Sequence, residues 1–417
     1  MIKNIIENIV CLFLVFVIVT PGQNTVDISR LKSDFAKGEN KEKYYSNLLK
    51  NIDQTFSGDP SVNSGIWIKA LRDAQSMKYD GNDVKVGLEK IFEMKIDNNL
   101  KLQRIALEIA YTLFKGDFNS RIEKIATETN DEISFAISVH YLKNRHNIKK
   151  YLKTALQKFG EQPESSIIKY LVEDLRSSDD LIPDLRELLN HKFQKGKTII
   201  FSFHRKNRIY PGITIIKKPN GEFVKKKNGD IFNIPQLALS YSNLPEYIPS
   251  GNTPQGIYSI QGTYISPTET IGPTPNVLTR IPFEITPSLF YHKSNSNNKW
   301  EIDDYKKLLP LSWKDYDPIF NSFNIGKFGR RLIIIHGSTD ETAYFSEEAY
   351  YPLTPTRGCL SSREIWDEKT GRAVESDQVS LINAFRSTGQ TKGYLILIEI
   401  DDQQRPVDIQ DIKRFLK

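Results

Sequence analysis

A histidine and a cysteine in the last quarter of the chain have the side chains of a general base and a nucleophile. His336 follows an apolar run, Leu332 to Ile335, and Cys359 follows in the next segment. The thiolate form of cysteine attacks carbonyl carbons, and a nearby imidazole can accept the thiol proton. The two residues therefore predict covalent catalysis at Cys359, with His336 as its base.

The residues next to Cys359 have the types that such a site needs. Gly358 permits a tight turn, in which the backbone N–H groups of Arg357 and Gly358 can face one point and bind an oxyanion. The guanidinium of Arg357 would also favour a thiolate beside it. Substrate contacts are predicted at three further residues, Thr356, Ser338 and Tyr351.

Cysteine usage leaves two interpretations of Cys359 open. The chain has 2 cysteines, and the other, Cys11, lies in an apolar N-terminal segment that we expect to be removed. A mature chain with one thiol cannot form an internal disulfide, although exported proteins meet oxidising conditions. The thiol is either a reactive nucleophile or a buried, inert side chain. The neighbouring sequence favours the nucleophile.

Two motifs resemble the L,D-transpeptidase family of the YkuD type. His336-Gly337, followed by Thr356 to Leu360, is similar to the active-site signature of that family. Asn252 to Ile260 is similar to its Thr-Pro-x-Gly-x-Phe-x-Ile strand and lies upstream, in the same order. The resemblance covers about residues 197–400. It departs at Arg357, where the family usually has histidine.

The resemblance implies a specific reaction. Cys359 would attack the carbonyl between the third residue of a peptidoglycan stem peptide and its terminal D-alanine, and a thioester would form. An amine of a second stem would resolve the thioester into a 3→3 cross-link. The resemblance also implies that the Gly337 carbonyl orients the His336 ring and that Arg357 contributes chiefly its backbone. No metal or organic cofactor is implied.

Other functions remain open at this stage. With water or a free D-amino acid as the acceptor, the same site would be an L,D-carboxypeptidase or an exchange enzyme. From another class, the chain would be a non-catalytic cell-wall-binding protein whose helical half recruits a protein partner. The intact pair of His336 and Cys359 favours an enzyme.

The elements that must position these residues change character near residue 195. Residues 23–195 carry apolar residues at helical spacing, with Asp131 and Asn147 at N-cap positions. They predict an all-α, solenoid-like domain, independent of the rest and not needed for the chemistry. Residues 196–417 predict a β-rich, L,D-transpeptidase-like catalytic domain, with a lid insertion expected at 286–328. The fold class is multidomain, α and β.

Several elements of the second half can be placed individually. Strands are expected at 198–203, 212–216, 257–260, 331–335 and 394–400. One helix is expected either directly after Cys359 or at 379–385.

Length, charge and the absence of certain motifs limit the classes of function that this chain can have. The chain has 417 residues, 39% of them hydrophobic, which suits two or three folded domains. The formal net charge of +6 fits attraction to an anionic polymer or surface. The sequence has no zinc-type spacing of cysteine and histidine, no phosphate-binding glycine loop and no RNA-binding aromatic motif. We therefore expect no metal site and no nucleic-acid partner.

The N-terminus predicts export to the periplasm or cell envelope. Residues 1–22 combine a lysine near the start, an apolar run from Ile9 to Val19 and a Thr-Pro-Gly end, the pattern of a cleaved signal peptide. The run is too short to span a bilayer comfortably, although an uncleaved anchor remains the alternative. We expect N-terminal sequencing of envelope-fraction protein to start near residue 23. A mature chain that still begins at Met1 would contradict cleavage.

Overall fold

The computed structural model describes residues 25–416, except 162, 164, 177–180 and 294–298. The predicted signal peptide, residues 1–22, lies outside the described residues. Helices dominate the first half, and strands dominate the second. In the part of the chain that the structure describes, no helix is both long enough and apolar enough to cross a membrane.

The first half consists of short helices joined by short loops. Their bounds are α1 Gly38–Ser57, α2 Ser64–Ser76, α3 Asn82–Glu93, α4 Leu100–Leu113, α5 Asn119–Glu128, α6 Glu132–Leu142, α7 Ile148–Phe159, α8 Ser166–Arg176 and α9 Leu185–Leu189. The side chain of Asp131 caps α6 by accepting a hydrogen bond from the backbone N–H of Ser134 at 2.8 Å. Helix α7 ends at Gly160, whose φ of 89° stops the helix.

These helices form a row of antiparallel hairpins. Helix α1 packs against α2, α3 against α4, α5 against α6, and α7 against α8. The second helices of successive hairpins also touch, so that α2, α4, α6 and α8 form one layer. On the other side, Glu123 of α5 accepts hydrogen bonds from Lys150 and Tyr151 of α7, each at 2.5 Å. Each hairpin thus contacts chiefly its neighbours, as in helical solenoids.

The second half is built on one large sheet. The strands are β1 Thr198–Arg205, β2 Gly212–Lys217, β3 Asn233–Gln236, β4 Gly256–Tyr264, β5 Asn276–Arg280, β6 Ile335–His336, β7 Leu360–Ser361, β8 Glu364–Trp366, β9 Ala373–Ser376 and β10 Gly393–Asp401. The sheet order is β3-β2-β1-β10-β4-β5-β6-β7, and β8 pairs only with β9. A bridge between Leu237, next to β3, and Ser361 of β7 joins the two edges, so the sheet is barrel-like and nearly closed.

Five short helices accompany the sheet. They are α10 Pro287–Phe290, α11 Ile302–Lys306, α12 Asn321–Lys327, α13 Asp377–Arg386 and α14 Ile409–Lys413. Helix α13 covers the predicted helix at 379–385, whereas the strand β7 directly follows Cys359. The predicted strand at 331–335 is present only at its last residue, because Leu332 has a φ of 60° that no strand accommodates.

Several described residues of the segment predicted as a lid, 286–328, belong to a buried core. Its aromatic side chains Phe290, Tyr305 and Trp313 are fully buried. They pack with Phe201 and Ile396, apolar residues of the central strands β1 and β10. These side chains therefore pack on one face of the sheet, and a lid at 286–328 stays a prediction.

The helical half shares a core with the strand-rich half. Leu244, Tyr247 and Ile248, which lie after β3, belong to the same buried cluster as the apolar residues of α1 to α8. The hydroxyl of Tyr247 is 2.6 Å from Nε2 of His140 on α6. The helices therefore share buried contacts with the second half, whereas the sequence predicted an independent helical domain; that this domain is not needed for the chemistry stays a prediction.

A second contact joins the first helix to the loop that follows β6. The hydroxyl of Tyr45 on α1 donates to the half-buried carboxyl group of Asp340, and the hydroxyl of Tyr241 lies 3.3 Å from the other oxygen of that group. Lys41 and Glu341 form an ion pair beside it at 3.4 Å. The loop after His336 is thus held partly by the helical half.

Removal of the helical half should destabilise the sheet. A fragment that starts at Lys195 would expose Leu244, Tyr247 and Ile248, whose burial stabilises the fold by about 1.5–3 kcal/mol for each large apolar side chain. We expect a lower urea midpoint, or aggregation, compared with the full chain. The control is the same fragment with these three residues replaced by serine, which should be more soluble. A fragment as stable as the full chain would contradict the shared core.

Candidate active site

The two motifs that carry the resemblance meet in space. Strands β6 and β7 pair in parallel, with Ile335 opposite Leu360 and His336 opposite Ser361. The hydroxyl of Thr253, in the Thr-Pro-Gln-Gly segment, donates a hydrogen bond of 3.3 Å to the carbonyl of Cys359. Segments that are far apart in the sequence are therefore in contact around the cysteine.

The ring of His336 is fixed by the next residue. Its Nδ1 lies 2.6 Å from the carbonyl oxygen of Gly337, and because a carbonyl only accepts, Nδ1 carries the proton. Nε2 is then the nitrogen that can accept a proton. The side chain is buried, and burial lowers the pKa of His336 below the usual 6.5. The imidazole is therefore neutral at neutral pH, as a base must be.

The thiol of Cys359 is partly exposed and has a different immediate partner. Its Sγ donates to the carbonyl oxygen of Leu332 at 3.3 Å. Burial raises the pKa of Cys359, while the N–H of Ile334 and the guanidinium of Arg330 act to lower it. Among the described residues, Cys359 and His336 are not hydrogen-bonded to each other. The resting site thus holds a protonated thiol directly before β7 and a neutral imidazole on the adjacent strand β6.

The turn before Cys359 accepts only glycine at its centre. Gly358 has a φ of 98°, in the left-handed region, and a Cβ added there would lie 1.9 Å from Nη2 of Arg330. The hydroxyl of Thr356 accepts from the N–H of Gly358 at 3.0 Å and donates to the carbonyl of Cys359 at 2.9 Å. Thr356 is buried and its hydroxyl is occupied by the turn, so the predicted substrate contact is not supported there.

Because Gly358 donates to Thr356, the backbone N–H groups that can bind an oxyanion differ from the predicted pair. The N–H of Gly358 already donates to Thr356, which removes it from the predicted pair of Gly358 and Arg357. In the described part of the chain, the N–H groups of Arg357 and Cys359 have no acceptor. These two groups are therefore the donors that this turn offers to a developing oxyanion.

The cation that acts on the thiol is not the one that the sequence suggested. The side chain of Arg357 is exposed, and the groups on which its charge acts are the hydroxyls of Tyr44 and Tyr241. Arg330, buried beside Gly358, acts on Cys359 instead. Sequence reasoning missed Arg330 because nothing in its sequence neighbours distinguishes it from the adjacent Arg331.

The two other predicted substrate contacts differ in their surroundings. The hydroxyl of Ser338 donates to the carbonyl of Thr270 at 3.3 Å and accepts from the N–H of Asp340 at 3.0 Å. Ser338 thus orders the loop after His336. Tyr351 is 49% exposed, and within the described residues its hydroxyl has no hydrogen-bond partner. Of the two, only Tyr351 presents a polar group that is free to contact a ligand.

A buried carboxyl group packs against Gly337, the residue after the histidine. A Cβ added at Gly337 would lie 2.1 Å from the carboxyl oxygen Oε2 of Glu364 on β8. The other oxygen accepts a hydrogen bond from Ser376 at 2.6 Å. Burial raises the pKa of Glu364 to about 7, and the hydrogen bond from Ser376 opposes that rise. Gly337 must therefore be glycine to make room for this carboxyl group.

A cavity elsewhere on the surface is separate from this site. It has a volume of about 390 Å³ and lies between α1 and the loop after β6, with Lys41, Tyr45, Glu341 and Tyr344 in its wall. Neither Cys359 nor His336 lines it. Among the residues described, no group of three or more histidine, cysteine, aspartate or glutamate side chains could hold a metal ion.

Comparison with known proteins gives no match. No family model, no curated protein and no solved structure is significantly similar to this chain. The function therefore has to be argued from the site itself.

Glu364 should make the stability of the protein depend on pH. Its pKa is about 7 in the folded chain against an ordinary 4.5, so between these pH values the folded state keeps a proton that the unfolded state loses. Stability should therefore fall as pH rises through this window, by up to about 3 kcal/mol. Glu364→Gln cannot titrate, and in urea unfolding it should lose less stability between pH 5 and pH 8 than the wild type.

The matched control is Glu347→Gln, which removes an exposed carboxylate. Its pH dependence should be that of the wild type. The assignment to Glu364 fails if Glu364→Gln and the wild type lose stability equally over the same range.

Proposed function

We propose that this chain is an exported L,D-transpeptidase, a cysteine acyltransferase that forms 3→3 cross-links between peptidoglycan stem peptides. The observation that carries the proposal is the convergence of the His336-Gly337, Thr253 and Cys359 segments, with Nδ1 of His336 bound to the carbonyl of Gly337. A base with a fixed tautomer, a nucleophile and free N–H donors lie on adjacent segments. The net charge of +6 suits an anionic cell-wall polymer.

In acylation, His336 would be the base, Cys359 the nucleophile and two backbone N–H groups the oxyanion donors. Nε2 of His336 takes the thiol proton, and Sγ of Cys359 bonds to the carbonyl carbon that precedes D-alanine. The oxyanion accepts from the N–H groups of Cys359 and Arg357. The C–N bond then breaks, D-alanine leaves with the proton from His336, and a thioester remains.

Deacylation decides which enzyme this is. An amine of a second stem loses a proton to His336, its nitrogen bonds to the thioester carbon, and the C–S bond breaks to give the cross-link. Water in place of the amine would give a shortened stem, the product of an L,D-carboxypeptidase. A free D-amino acid would give an exchanged stem. The half-exposed Tyr351 and the exposed Arg357 lie on the segment leading to Cys359, where they would meet the stem.

The catalytic pair should respond to substitution in a defined order. Cys359→Ala should abolish the covalent adduct with a carbapenem, a β-lactam that acylates thiols, and all turnover of a stem tetrapeptide. His336→Ala should slow acylation by about 10² to 10⁴, the contribution of a positioned base. Arg357→Ala keeps the backbone N–H and should cost about tenfold or less. Intact-mass analysis measures adduct formation and product masses.

His146→Ala is the matched control because His146 is exposed on the helical half, and it should leave the rates unchanged. Full activity of Cys359→Ala, or no reaction of the folded wild type with either reagent, would refute the proposal and favour a wall-binding protein. If Arg357→Ala is as inactive as Cys359→Ala, the guanidinium binds substrate and the backbone-only role is wrong.

A further inference from the structure

A guanidinium without a carboxylate partner lies beneath the cysteine turn. Arg330 is 7% exposed, and among the described residues its guanidinium donates only to backbone carbonyls. The Nη1 group donates to Asn252 at 3.0 Å and to Glu246 and Ile248 at 3.4 Å, and Nη2 donates to Gly251 at 2.8 Å and Gly358 at 3.3 Å.

The charge of this guanidinium is not neutralised by an ion pair. Within the described ranges, no carboxylate lies at ion-pair distance from Arg330. The nearby carboxyl group of Glu246 is bound to Arg208 at 2.8 Å and accepts from Asn321. A buried charge that meets only carbonyl dipoles retains a strong local field, because the low dielectric of the interior screens it little.

The guanidinium lies next to Gly358, the residue directly before Cys359, so its positive charge acts close to the thiol. The guanidinium fills the space that a side chain at 358 would need, and Gly358 is the residue directly before Cys359. We propose that Arg330 is a positioning residue that both clamps this turn and supplies the fixed positive charge which stabilises the Cys359 thiolate. The inference deepens the proposed function, on which its catalytic purpose rests.

The other groups that face the thiol are accounted for. Glu284 acts against the thiolate, and the N–H of Ile334 acts for it. Tyr264 faces the same region, and its pKa is raised mainly by burial. Burial raises the pKa of Cys359, and Arg330 is the one cation that acts to lower it among the described residues. Loss of this charge should therefore raise the thiol pKa further.

The test measures the thiol without any cell-wall substrate. The rate of alkylation of the full chain by iodoacetamide, followed by intact mass from pH 6 to pH 11, gives the apparent pKa of Cys359. Arg330→Met should raise that pKa by about one unit or more, which is about tenfold in rate at neutral pH. Arg330→Lys loses most of the carbonyl contacts but keeps a positive charge. The pKa of Cys359 in this variant should therefore lie closer to the wild-type value than the pKa in Arg330→Met does.

A control variant, and a comparison of the two Arg330 variants, distinguish an effect of the Arg330 charge from an effect on the structure of the turn. Arg331→Gln removes the exposed charge of the next residue and should leave the thiol pKa unchanged. Equal pKa values for the Met and Lys variants, with both folded, would overturn the proposal, because a purely structural clamp does not distinguish them. Unchanged pKa in Arg330→Met would overturn it as well.

A measurement on the wild type covers the case in which the variants do not fold. In protein labelled with ¹⁵N-arginine, one Nε resonance should titrate with the apparent pKa of the thiol and should lose that titration in Cys359→Ser. If no arginine resonance follows the thiol, the proposal fails. If the thiol measurements succeed but stem peptides and carbapenem do not react, the proposed function fails and the role of Arg330 in thiol ionisation remains.

Discussion

The contact between the guanidinium of Arg330 and Gly358 constrains the rest of the site. Carbonyl groups of residues 246–252 and of Gly358 converge on one guanidinium, which ties two distant segments to the turn before Cys359. A carbonyl cluster of this kind would repel itself without the cation, and the cation would be costly to bury without the carbonyls. The geometry of the turn before Cys359 therefore depends on Arg330, whose guanidinium binds the Gly358 carbonyl and not the sulfur.

The position of His336 beside the Cys359 segment depends on the pairing of β6 with β7, where the two edges of the sheet come together. Strands β6 and β7 have two residues each, and β7 is also bridged to Leu237 at the opposite edge. Two short strands make few backbone hydrogen bonds, so the loops on either side must be held by other means. Arg330 holds the loop before Cys359, and Tyr45 of the helical half holds the loop after His336 through Asp340. This explains why the helices and the strands share a core.

Features that depend on neighbouring residues could be predicted from the sequence. Features that depend on contacts between distant residues could not. Local signals worked: Asp131 caps α6, and Gly160 ends α7. Asn147 occupies the predicted cap position, but its side chain bonds back to Asn144 and Leu142 because those partners compete locally with the helix end. Apolar runs predicted the starts of β1, β2, β4 and β10 to within one residue, yet the run at 331–335 forms a strand only at its last residue. The sequence also could not show that Phe290, Tyr305 and Trp313 would be buried.

Residues that act through distant partners could not be predicted. Arg330 and Glu364 are identified only when folding brings them against Gly358 and Gly337, and in both cases the visible trace in the sequence is a glycine, not the charged residue. Thr356 shows the reverse situation, since a polar residue beside the nucleophile suggested substrate binding and instead closes the turn on Cys359.

The resting geometry limits how the cysteine can react. Leu332 has a φ of 60°, a left-handed conformation that is unfavourable for leucine, and its N–H is held by Glu284 at 3.1 Å. This turn presents the Leu332 carbonyl to the thiol, and a carbonyl stabilises the protonated sulfur only. Since the imidazole of His336 is neutral, the two groups do not form a preformed ion pair. In the proposed reaction, the thiol would exchange its hydrogen bond to Leu332 for one to Nε2 of His336, and the charge of Arg330 would favour the thiolate that results.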